Sequence, residues 1–104
     1  MQPQFNPPEN GNHSVLLCPS CSSNHLHHWR VEVFERAKDE ANGVHVSVED
    51  GKPSIDTDLT GNPSERRHGL IIHFACEVCS AMSALTFAQH KGNTFVDFKY
   101  ADET

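Results

Sequence analysis

Leu70-Ile71-Ile72-His73-Phe74-Ala75-Cys76-Glu77-Val78-Cys79 joins a run of strand-forming residues to two cysteines separated by two residues. β-Branched and aromatic side chains dominate the run, which favours a strand. The closing pair lets one tight turn aim two sulfurs at a single point. Outward from there, Ala84–Gln89 leads away from the turn and Lys91-Gly92-Asn93 reverses the chain. Thr94–Tyr100 then returns with Val96, Phe98 and Tyr100 on one face. A second pair, Cys18-Pro19-Ser20-Cys21, lies between the short strand Val15-Leu16-Leu17 and the alternating run Leu26–Val33. In that run Trp29, Val31 and Val33 are expected on one face, with His28, Arg30 and Glu32 on the other.

Between the pairs, Glu35–Asn42 reads as a turn of helix or a wide hairpin loop, with Gly43 as a stop. Val44–Val48 alternates, and Asp50-Gly51 is a hairpin-turn signal. A return strand is expected near Ser54–Leu59, confined to a sheet edge by Pro53. Thr60–Ser64 is turn chemistry. The fold class expected is all-β and mainly antiparallel, with an inserted β-hairpin.

The 104 residues hold 8 Lys+Arg against 14 Asp+Glu, a net charge of −6. That length gives one domain, expected over residues 14–100 with the insertion at 37–68. Residues 1–13, carrying Pro3, Pro7 and Pro8, and residues 101–104 read as tails. A domain this small often needs a staple beyond its apolar core. The N-terminus shows no basic-then-apolar leader, and no apolar run nears the ~20 residues of a membrane span. A cytoplasmic, non-membrane protein is therefore expected. The acidic balance argues against coating nucleic acid through net charge.

Two Cys-x-x-Cys turns facing each other supply four thiolates in a tetrahedron, the geometry of structural Zn²⁺. Cys18, Cys21, Cys76 and Cys79 are the expected ligands of one ion, and four thiolates leave no open position for catalysis. The rivals fit less well. A redox Cys-x-x-Cys usually opens a helix, and neither pair does so here. A disulfide framework suits a secreted chain, and iron–sulfur sites usually use tighter spacings.

With these two knuckles and their flanking strands, the chain resembles the zinc-ribbon family over roughly residues 15–33 and 70–100. It is similar to small uncharacterised zinc-ribbon proteins of bacteria and their phages. The resemblance implies knuckles at the ends of β-hairpins and binding to proteins or nucleic acids. Ser22 and Ser80 stand where the family often has glycine, and the 54 residues from Ser22 to Ala75 exceed what a minimal ribbon needs.

Other chemistry is weaker. His25, His27 and His28 cluster after the first knuckle, either as a second or mixed metal site or as polar strand positions. Asp56 and Asp58 fall on one face of the expected return strand, a pattern shared by Mg²⁺ sites and exposed edges. No adjacent Glu or Lys completes a catalytic set, and neither a histidine–metal nuclease unit nor a serine elbow is present. The expectation is a non-enzyme.

Strands leaving or entering the knuckles would gather Arg36, Lys38, Arg66, Arg67, His68, His90 and Lys91 at the end far from the metal. Residues 37–68 meanwhile carry four basic and seven acidic side chains. The basic group can grip an anion or simply neutralise that acidic segment. A zinc-held module that contacts a protein is the leading expectation, with Arg66, Arg67, His68, His90, Lys91, Asp56 and Asp58 as its partner-facing residues. Nucleic-acid binding is the second reading, with Trp29 or Phe95 stacking on bases. An anti-CRISPR-like phage inhibitor, its acidic residues imitating phosphates in a basic channel of a host defence complex, is the third.

Overall fold

The computed structural model describes residues 2–6, 13–37 and 40–100. Eight strands form: β1 (Phe5–Asn6), β2 (Val15–Leu16), β3 (Leu26–Glu35), β4 (Val44–Glu49), β5 (Lys52–Asp56), β6 (Gly69–Cys76), β7 (Met82–His90) and β8 (Asn93–Tyr100). β1 pairs with β2, which gives Phe5 and Asn6 a place in a sheet although the sequence assigns them to a tail. The other six strands make one antiparallel sheet in the order β5-β4-β3-β6-β7-β8. The all-β, antiparallel expectation holds, and the insertion supplies β4 and β5 at one edge. No described helix is long and apolar enough to cross a membrane.

Local chemistry explains the strand ends. Asp50 and Gly51 take φ values of 50° and 80°, and Lys91 and Gly92 take 49° and 82°. Two consecutive left-handed residues make the two-residue turn whose twist matches the strands it joins. The first turn therefore starts β5 at Lys52, two residues earlier than expected, with Pro53 on the sheet edge. No helical turn forms over the described part of residues 35–42. β3 runs through Glu35, and the chain then turns with the Glu40 N–H donating to the Ala37 carbonyl at 3.1 Å.

The expected faces of β3 need correction. The register with β6 slips between His28 and Arg30, so Trp29 is an inserted residue. A bulge of this kind shifts the alternation by one position. Trp29 accordingly meets the His73 ring, at a centroid distance of 5.5 Å. His28 moves to the face of Val31, opposite Phe74.

The cross-strand register sorts the sheet into two faces. On one, Ile55–Val46–Val33–Leu70–Phe87–Val96 forms an unbroken row of paired apolar residues from edge to edge. Pro53–Val48–Val31–Ile72–Leu85–Phe98 forms a second row beside it. Leu85 and Phe98 are buried, but Val48 and Ile55 are 42% and 74% exposed. The remaining members, Val31, Val33, Val46, Leu70, Ile72, Phe87 and Val96, are half-buried, and Pro53 is exposed.

The opposite face carries a core cluster of Phe34, Ile71 and Ala84, with Leu59 packed on it from the β5–β6 loop. That loop is tied down by polar groups. Ser64 Oγ donates to the Gln89 carbonyl at 2.8 Å, and Asn62 Nδ2 donates to the Arg67 carbonyl at 2.9 Å.

Candidate metal centre

Antiparallel pairing of β3 with β6 sets Leu26 opposite Cys76, which carries the first knuckle to the second. The Glu77 N–H donates to the His25 carbonyl at 3.0 Å and ties the two turns directly. Both turns share one backbone wiring. In the first, Cys18 N–H bonds the Ser23 carbonyl (2.8 Å) and Ser22 N–H bonds the Cys18 carbonyl (3.0 Å). In the second, Cys76 N–H bonds the Ala81 carbonyl and Ser80 N–H the Cys76 carbonyl, both at 3.1 Å.

The four sulfurs converge within 4.8 Å of one another. Cys18 Sγ lies 3.7 Å from Cys79 Sγ, and Cys21 Sγ lies 3.7 Å from Cys76 Sγ. A disulfide needs about 2.05 Å, so these contacts are not disulfides. A tetrahedron with metal–sulfur bonds of about 2.3 Å has edges of about 3.8 Å, and the cluster fits that shell.

Its electrostatics favour a cation. Backbone N–H groups of Cys79 and Val78, together with the Cys21 and Cys79 thiols, bring the Cys76 pKa down to about 6. At Cys21, the Ser23 backbone hydrogen bond favours the thiolate, but desolvation and the Cys79, Cys76 and Cys18 sulfurs outweigh it and push the pKa up to about 12. One thiolate forms readily and opposes the next. A bound dication removes that opposition by deprotonating the coordinating thiols outright.

The histidines beside the first knuckle do not join the sulfurs. His27 Nε2 sits 2.8 Å from Glu77 Oε1, and His25 Nδ1 sits 3.9 Å from Glu77 Oε2. Among the described residues the four cysteines are the group of metal-ligating side chains that converges.

Sequence reading misses a second polar cluster on the covered sheet face. Glu32 is 9% exposed and His45 is 8% exposed. Glu32 Oε1 is 3.0 Å from His45 Nε2, and Oε2 is 2.7 Å from His73 Nε2. Arg30 bridges Glu32 at 3.0 Å and Glu49 at 3.2 Å. His45 Nδ1 meets Asp56 Oδ1 at 2.9 Å, and its ring stacks on Phe34 at 4.4 Å. Burial pushes the Glu32 carboxyl up, but the His73 hydrogen bond, the Arg30 charge and the His45 hydrogen bond outweigh it, and its pKa falls below the usual range. The alternation of β3 placed Glu32 on the polar face of its strand; its partners His45 and His73 come from β4 and β6, which the pattern of one strand does not show.

The Asp56/Asp58 pair does not share a strand face, because β5 ends at Asp56. Asp56 Oδ1 accepts the Asp58 N–H at 2.9 Å, and Asp58 Oδ1 accepts the Thr60 N–H at 3.0 Å. Both carboxylates thus cap turns. At the end of the sheet far from the cysteines, Arg36, Arg67 and His68 line one cavity with Glu35, Gln89 and Gly92. Arg36 donates from its guanidinium to the Glu40 and Glu65 carbonyls. His68 Nδ1 accepts the Arg36 backbone N–H at 2.9 Å, with Glu35 Oε2 3.1 Å away. His90 lies against Phe95, Arg66 and Lys91 are exposed, and Lys38 falls outside the described residues.

Compared with protein-family models, curated proteins and solved structures, the chain matches none.

Proposed function

We propose that this chain is a non-catalytic, zinc-ribbon-like module in which Zn²⁺ held by Cys18, Cys21, Cys76 and Cys79 staples the sheet, and whose apolar face binds protein. Thiolate-only ligation suits Zn²⁺ among common divalent ions. The ion's chemistry would be structural, since four protein ligands leave no place for a water to be activated.

The observation that carries the protein-binding reading is the pair of apolar rows across all six strands. An exposed contiguous apolar patch on a small protein marks an interaction site. Phosphate recognition is favoured less, because Arg36 and His68 at the basic end already serve carbonyls and a neighbouring backbone N–H. Asp56 and Asp58 are likewise engaged in holding their own turns, which weakens the phosphate-mimic reading.

The test is affinity capture from the source cells at low and high salt, with wild type and Val33→Lys. A protein contact survives raised salt and is lost in Val33→Lys. Binding to single- or double-stranded oligonucleotides that falls steeply with salt, and that Arg66→Glu with Arg67→Glu abolishes, would overturn the reading in favour of nucleic acid.

A further inference from the structure

At the end of the sheet far from the cysteines, two grooves open to solvent meet. One, of about 390 Å³, has Val33, Leu70 and Phe87 as its floor. These three belong to the first apolar row, pair across β3, β6 and β7, and are half-buried. The other, of about 320 Å³, is the cavity that Arg36 and Arg67 line. The two share Glu35, His68 and Gln89, so an apolar floor runs directly into a wall with two arginines.

Arg67 is half-buried, and its guanidinium has no hydrogen-bond or ion-pair partner among the described residues; only its backbone is engaged, by Asn62 and Ser64. Arg36 donates to the Glu40 and Glu65 carbonyls through Nε and Nη1, which leaves Nη2 without a partner among the described residues. Glu35 is the one carboxylate in the wall, and it already lies 3.1 Å from His68 Nδ1. Two fixed positive charges thus stand against one carboxylate here, although the whole chain carries −6. Partly desolvating a cation without a counter-ion costs free energy, which an incoming anion recovers.

We infer that the joined grooves hold the C-terminal end of a partner protein, its carboxylate on Arg67 and its last, large apolar side chain on Val33, Leu70 and Phe87. This rests on the protein-binding reading above and names the part of the partner that is recognised. A guanidinium matches a carboxylate with two parallel hydrogen bonds. Within an extended chain, neighbouring side chains point to opposite sides, so an acidic residue and its apolar neighbour do not reach one surface together. A chain end carries its carboxylate and its side chain on one Cα and brings both to adjoining grooves. A nucleic acid instead needs several free cations along its phosphates, and in this wall Arg67 alone has a wholly uncommitted guanidinium.

Heteronuclear NMR of the metal-loaded chain, titrated with N-acetyl-Gly-Gly-Leu bearing a free carboxylate, tests this. One buried leucine and one charge-assisted contact support a dissociation constant of about 1 mM, so the titration runs to about 10 mM. Saturable shifts are expected at Val33, Arg67, Leu70, Phe87 and Gln89. The amidated peptide, and separately N-acetyl-Gly-Gly-Gly with a free carboxylate, should each bind about tenfold more weakly. Arg67→Ala should weaken the free acid about tenfold and leave the amide unchanged, with its fold checked by metal content and circular dichroism. The comparison of acid with amide uses the wild-type chain, so it decides the matter whatever Arg67→Ala does to the fold. No saturable shift over that range, shifts centred elsewhere, or equal binding of acid and amide overturns the inference. So does tighter binding of N-acetyl-Asp-Gly-Leu amide than of the free acid, which would place the carboxylate inside a chain. If the peptides fail while a foreign protein is still captured through Val33, the chain-end inference falls and the protein-binding reading stands. Loss of both removes that reading as well.

Discussion

Ser22 and Ser80 adopt nearly the same left-handed backbone, φ 64° and 62°, each directly after the second cysteine of its knuckle. In both turns the serine N–H donates to the carbonyl of the first cysteine, so the same ring is closed twice. The knuckle demands this conformation, and a side chain with a Cβ holds it at a cost of about 1–2 kcal/mol. Glycine would remove that strain and add some backbone entropy loss. Ser22→Gly and Ser80→Gly should therefore each stabilise the metal-loaded protein by about 0.5–1 kcal/mol. A raised thermal midpoint checks this, and Ser22→Val should lower it.

Metal removal should unfold the domain. Structural Zn²⁺ contributes on the order of 10–16 kcal/mol in small domains, as much as the whole net stability of a typical one. One zinc per chain is expected by elemental analysis, and a chelator should abolish the β-sheet circular dichroism. Cys76→Ser should prevent folding. A folded, metal-free protein of ordinary stability would refute the stapling role.

Glu32 should matter more than its place on a strand implies. Removing one partner of a buried charge network costs about 3–5 kcal/mol, and partial exposure of Arg30 favours the lower end. Glu32→Gln should therefore lower stability by about 3 kcal/mol at pH 7 in denaturant titrations. The folded carboxyl titrates below its ordinary value of 4.5, so its contribution is present above that pH and lost as pH falls through the folded value. The gap between wild type and Glu32→Gln should thus be present at pH 7 and close as pH falls below about 4.5.

Gly69 starts β6 where the β5–β6 loop crosses it. A Cβ there would meet Asn62 Oδ1 and lie 2.8 Å from Pro63 Cδ. Asn62 is held by the Arg67 carbonyl and cannot step aside without losing that bond. Gly69→Ala should destabilise by about 1–3 kcal/mol through overpacking, with metal content unchanged.

The sequence by itself determined the features that depend on near neighbours. Two residues between cysteines specify a knuckle, Asp50-Gly51 and Lys91-Gly92 specify tight turns, and β-branched runs specify strands, each over a few bonds of chain. The candidate ligands were legible for that reason. Tertiary structure decided what depends on register and cover. One inserted residue at Trp29 reversed the alternation of β3, and the loop carrying Leu59 turned the Glu32 side of the sheet into an interior. The same assembly brought Asp56, His45, Glu32 and His73 into one chain of hydrogen bonds, though they come from four different strands. It also lined up twelve apolar residues in two rows, a pattern that exists only once six strands share a register. Strand periodicity gives each residue a side of its own strand; only the packing of the other layers makes one of those sides the inside.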